Sequence, residues 1–89
     1  MKIYLVIHEF AKPGGDISSM YLPRGFNSEL KAKKAFEETR RIIMDKWRRN
    51  KEWGKYEEYD DGGCGLFVCS DPTTHEEESV ELFDVKIED

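Results

Sequence analysis

The sequence predicts an α+β domain: an antiparallel sheet of about four strands with one long amphipathic helix on one face, in the order β-β-α-β-β. Three observations carry the prediction. Residues 2–10 (KIYLVIHEF) and 79–88 (SVELFDVKIE) are rich in strand-forming residues, whereas residues 28–53 between them have helical periodicity. A chain of 89 residues has room for one modest core, so residues 1–89 read as a single domain.

In the first strand Ile3, Leu5 and Ile7 alternate with Tyr4, Val6 and His8. Both faces are therefore largely apolar, as in a central strand covered on one side and partly covered on the other. KPGGD at 12–16 is a turn signal. ISSMYLPRGF then reads as a weaker second strand, with Pro23 marking an edge position or its end.

Asn27 or Ser28 can cap the helix through a side-chain oxygen. At 100° per residue Ala32, Ala35, Phe36, Thr39, Ile43 and Trp47 share one stripe, with Ile42 on its flank. Lys34, Glu38, Arg41, Asp45 and Arg48 fall opposite, and Glu37–Arg41 and Asp45–Arg49 are acid-first i,i+4 pairs. Gly54 suits the C′ position beyond the helix end. A helix of about 25 residues is nearly 40 Å long, much more than the width of a four-stranded sheet. Its end near Trp47 and Trp53 is therefore expected to overhang.

KYEEYDDGG reads as a polar turn region, CGLFVCS as a short buried strand and DPTTHEEE as a turn with an acidic loop. The last strand places Phe83, Val85 and Ile87 on one face, and Val80 and Leu82 on the other.

Hydrophobic residues make up 38% and charged residues 37%, with a mean hydropathy of −0.73. Eleven aromatics and two clear strand patterns oppose disorder. No apolar run reaches the roughly 18–20 residues of a membrane span, and the N-terminus lacks a signal-peptide pattern. Two cysteines without an export signal point to a reducing cytoplasm. Charge is uneven: residues 27–55 sum to +5, residues 56–89 to −11 and residues 1–26 to +1, for a total of −5. Such halves can complement each other within a fold or across a dimer.

The opening MKIYLVIHEF, the FNSELKAKKAFEE junction and the closing VELFDVKIE resemble short bacterial and phage proteins of unassigned function. The resemblance implies the same β-β-α-β-β fold and a bacterial or phage origin. It transfers no catalytic or binding residue.

Chemistry-bearing residues are few. Cys64, Cys69 and His75, with His8 as a fourth candidate, have zinc-ligand chemistry, but a separation of five within a strand sends the two thiols to opposite faces. The same geometry opposes a disulfide, so both cysteines are expected as free thiols, with no metal and no cofactor. A Cys/His nucleophile pair with His8 lacks any family signature, and the expectation is a non-enzymatic protein. Its function is expected to be protein–protein interaction, with an unknown partner or with itself as a homodimer, through Trp53, Tyr56 and Tyr59. The alternative is a nucleic-acid accessory protein using Arg41, Arg48, Arg49 and Lys51, where seven bases and two tryptophans fall within residues 40–55. Asp45 and Glu52 interrupt that run, and the overall charge opposes it. A small Cys/His enzyme or metal protein is the third class.

Overall fold

The computed structural model describes residues 2–11, 19–20, 23–52, 54–61 and 65–87. The elements are β1 (Lys2–Ala11), β2 (Ser19–Met20), β3 (Arg24–Phe26), α1 (Glu29–Asn50), β4 (Glu57–Asp61), β5 (Leu66–Asp71) and β6 (Glu76–Lys86). The sheet is antiparallel throughout, in the order β2-β1-β6-β5-β4, and β3 pairs with β1 as well. Because β2 and β3 occupy successive stretches of β1, the sheet is five strands wide rather than four. The second expected strand is these two short pieces, with Pro23 just before β3 on the edge. The KPGGD turn lies outside the described residues.

The additional strand is β4, from the segment expected to be turn. Its sequence, EEYDD, offers no apolar face, so it has no alternation to read. What replaces apolar burial is charge: Glu58 and Asp60 alternate toward the helix and meet arginines there. The acidic loop expected around residues 76–78 also belongs to the sheet, as the start of β6 after a turn at 72–75.

Ser28 caps α1, its Oγ accepting from the Lys31 N–H at 3.3 Å. Ala32, Ala35, Phe36, Ile43 and Trp47 are buried and meet Val6, Tyr56, Phe67, Cys69 and Val80 in one core. Thr39 is half-buried and returns its hydroxyl hydrogen to the Ala35 carbonyl at 2.9 Å. Ile42, expected on the flank of the stripe, is instead 64% exposed. The helix stops at Asn50, earlier than expected, because Lys51 turns into an extended conformation. Gly54, at φ +88°, therefore lies in the following turn and is not the C′ residue.

Trp47, expected in an overhang, lies over the sheet for a geometric reason. The first turns of α1 lie over Lys2, Tyr4 and Leu82, while Trp47 reaches Glu78 at the other end of β6. The helix thus runs along β1, not across the sheet. Its 22 residues span about 33 Å, matched by the roughly 33–36 Å of the ten- and eleven-residue strands beneath.

Candidate functional site

Strand alternation sorts the sheet into two faces. The inner face, under α1, receives Tyr4, Val6, His8 and Phe10 from β1, and Glu78, Val80 and Leu82 from β6. Phe67, Cys69 and Asp71 join them from β5.

Within this inner layer Glu78 is 1% exposed yet charged. Its Oε1 accepts from Trp47 Nε1 at 2.9 Å and contacts Lys46 Nζ at 2.5 Å, while Oε2 lies 2.6 Å from His8 Nε2. An ionised carboxylate only accepts, so His8 Nε2 carries the hydrogen. Burial alone would push this carboxyl up, but the donors from His8, Lys46 and Trp47 outweigh it and hold it at about 2. Close by, Lys51 Nζ bridges Asp71 at 2.8 Å and Glu76 at 2.7 Å. The Lys51 ammonium is the leading cause that lowers the Asp71 carboxyl to about 2. These groups satisfy one another and tie the end of α1 to the sheet.

The same layer decides the cysteine chemistry that the structure describes. Cys69 is a fully buried free thiol. Burial first, then the neighbouring Glu58 and Glu78 carboxylates, push it up to about 12, so it stays protonated and is a poor nucleophile. His8 is engaged with Glu78. Among the described residues no group of three His, Cys, Asp or Glu side chains could hold a metal ion. Cys64 lies outside the described residues.

The basic helix is neutralised largely from within. Arg40 donates to Asp60 at 2.5 Å and 3.1 Å. Arg48 forms a two-toothed pair with Glu58, both contacts at 3.1 Å. Of the four residues named for nucleic-acid contact, Arg48 and Lys51 are therefore tied to the sheet, while Arg41 and Arg49 are exposed. The opposite charges of the two halves meet inside one chain.

The three aromatics named for a protein interface separate. Tyr56 is only 8% exposed, packed at 5.6 Å and a 55° tilt against Trp47, with its hydroxyl donating to Glu58 at 3.2 Å. It belongs to the core and cannot serve as a surface anchor. Tyr59, 56% exposed, stands on β4. Trp53 lies outside the described residues.

Tyr59 points away from α1, and so does an apolar set that the sequence reading did not gather. In register, Ile3 faces Val85, Leu5 faces Phe83, and Ile7 lies in one row with Glu81 and Leu66. Val68 and Tyr59 are also paired. These side chains are half-buried or exposed on the face that no helix among the described residues covers. The signal in the sequence is the apolar character of both faces of β1, joined to the Phe83–Val85 alternation of β6. The same face carries exposed Glu9, Glu57, Glu77 and Glu81, and no Lys or Arg among the described strand residues.

No family model, no curated protein and no solved structure matches this chain. No helix among the described residues is long and apolar enough to cross a membrane.

Proposed function

We propose that this protein works by binding another protein through the uncovered face of its sheet. The observation that carries this is the contiguous set of half-buried Ile3, Leu5, Ile7 and Phe83 with exposed Val85, which no described element covers, on a sheet whose other face packs against α1. Exposed apolar patches of this kind mark interaction sites in proteins that otherwise keep such surface small. Tyr59 at the margin adds an aromatic group of the type enriched in interfaces.

The charge on the face favours a different chain over a second copy. Two copies meeting face to face would set Glu9, Glu57, Glu77 and Glu81 either on their own kind or on the partner's apolar end, with no base among the described strand residues of that face to meet them. The same acids repel nucleic acid and anionic lipid. The nucleic-acid alternative is weakened further because Arg48 and Lys51 are already bound to carboxylates of their own chain.

The test is site-specific photo-crosslinking in cells, with the reactive side chain at position 59 in one variant and at position 41 in the other. A partner crosslinked from 59 and not from 41 is then purified and titrated calorimetrically. It should bind the wild-type chain and lose most of its affinity for Val85→Glu, whose melting curve checks the fold. Crosslinks from 59 that join only two copies of this chain, or a partner captured only from 41, would refute the proposal.

A further inference from the structure

The outer face is not uniform along its length, and its polarity describes what would lie on it. At the end where β1 begins and β6 finishes it is apolar: Ile3 beside Val85, and Leu5 beside Phe83. Midway, Ile7, Glu81 and Leu66 form a mixed row. At the far end β1 and β6 are acidic and small, with Glu9 beside Ser79 and Ala11 beside Glu77; Val68 and Tyr59 continue the first of these rows on β5 and β4, and Ser70 and Glu57 the second. Along β1 and β6 apolar and acidic character are thus segregated, with Val68 and Tyr59 as an apolar margin beside the acidic half.

Backbone satisfaction limits the form of the occupant. β1, β6 and β5 have their main-chain groups paired to neighbouring strands. An extended peptide laid on this face would find no ladder partner, whereas a helix brings its own hydrogen bonds. The dimensions agree. Three strands span two spacings, about 10 Å, close to the width of one helix. From Ile3 to Ala11 the face runs eight residue steps, about 26 Å, the length of about 18 helical residues.

We infer that the docking element is an amphipathic helix of another protein, about 18 residues long. Aliphatic or aromatic side chains occupy one half of its contact face, and lysines or arginines the other. This rests on the outer face being the protein-binding surface. The apolar half supplies desolvated contact area, and the basic half meets Glu77, Glu81, Glu9 and Glu57, which set orientation and exclude acidic helices.

The inference is tested on the intact chain with two synthetic, fluorescein-labelled 18-residue helix-forming peptides. One carries Leu in its first half and Lys in its second half of the contact face; the other has Glu in place of each Lys. Fluorescence polarisation gives the affinities, and amide shifts of the labelled protein locate the contact. The Lys peptide should bind at least about tenfold tighter than the Glu peptide, equivalent to about 1.4 kcal/mol, and the preference should shrink as salt rises. Shifts should fall on Leu5, Ile7, Glu77, Glu81 and Phe83. The double variant Glu77→Lys/Glu81→Lys should lose that preference while its melting curve shows an intact fold. Equal affinity for the two peptides, or shifts on the solvent face of α1, would overturn the inference and leave the protein-binding surface to be judged by the crosslinks at position 59. Binding of neither peptide would also overturn it. Dimers of the chain alone that Val85→Glu dissolves would overturn both proposals.

Discussion

Replacing Glu78 by Gln should destabilise the protein strongly at neutral pH and much less in acid. Gln keeps an oxygen acceptor for Trp47 Nε1 but removes the charge that faces Lys46 and His8. The magnitude follows from the carboxyl, which titrates at about 2 in the fold against an ordinary 4.5. At about 1.36 kcal/mol per unit this corresponds to on the order of 3 kcal/mol. The sign is fixed by the direction of the shift. A carboxyl held below its unfolded value stabilises the fold above about pH 4.5, and that contribution fades as pH falls toward 2. Urea denaturation of wild type and variant at pH 7 and pH 3 gives the two differences. The gap at pH 3 should be less than about half that at pH 7. The protonation of Asp71, also lowered to about 2, is common to both proteins and largely cancels from the comparison. A gap of equal size at the two pH values, or a variant more stable than wild type at pH 7, would refute the reasoning. The second outcome is the behaviour of buried ion pairs whose desolvation exceeds their attraction.

In a Cys64→Ser background, Cys69 should resist iodoacetamide at pH 8 for as long as the protein is folded and react once it is denatured, as a buried thiol raised to about 12 requires; rapid labelling of the native protein would contradict this. Gly65→Ala should cost on the order of 1–3 kcal/mol in chemical denaturation. Gly65 has a φ of +70°, and an added Cβ would lie 2.9 Å from the Leu82 carbonyl oxygen. Gly54→Ala, at φ +88° with nothing within 4 Å, should cost less, and the reverse order would contradict the clash.

The parts of this fold that announce themselves in the sequence are those whose burial is apolar and periodic. Ser28 before a stripe of Ala32, Ala35, Phe36, Ile43 and Trp47 defines the helix, and the alternation in β1 and β6 defines the centre of the sheet. β4 was hidden because its inward residues are Glu58 and Asp60, whose reason to face inward lies on Arg48 and Arg40 of another element. Glu78 was hidden in a run of three glutamates. Extending the Val80–Leu82 alternation back by one step places it on the core face, where His8 and Trp47 each need a polar partner. The burial of Tyr56 has no local signal, because its stacking on Trp47 depends on the chain turning back after Asn50. The outer face was half legible. Its apolar residues lie in plain alternation, but which strands stand side by side is a matter of topology, with β6 entering between β1 and β5.

That insertion orders events during synthesis. β1 leaves the ribosome before the other described elements, yet its long partner, Glu76–Lys86, follows all of them. β5 likewise has β4 on one side and waits for the same strand on the other. Until β6 emerges, Ile3, Leu5 and Ile7 belong to a strand whose native partners at hand are only the short β2 and β3 pieces. Closure of loops some 70 residues long makes such a sheet slow to form. The nascent chain therefore passes through an interval in which an aliphatic strand has one long edge unpaired, the condition under which chaperone capture competes with aggregation. A stop codon between residues 72 and 76 would leave two half-sheets with no common strand, rather than a shortened version of the same protein.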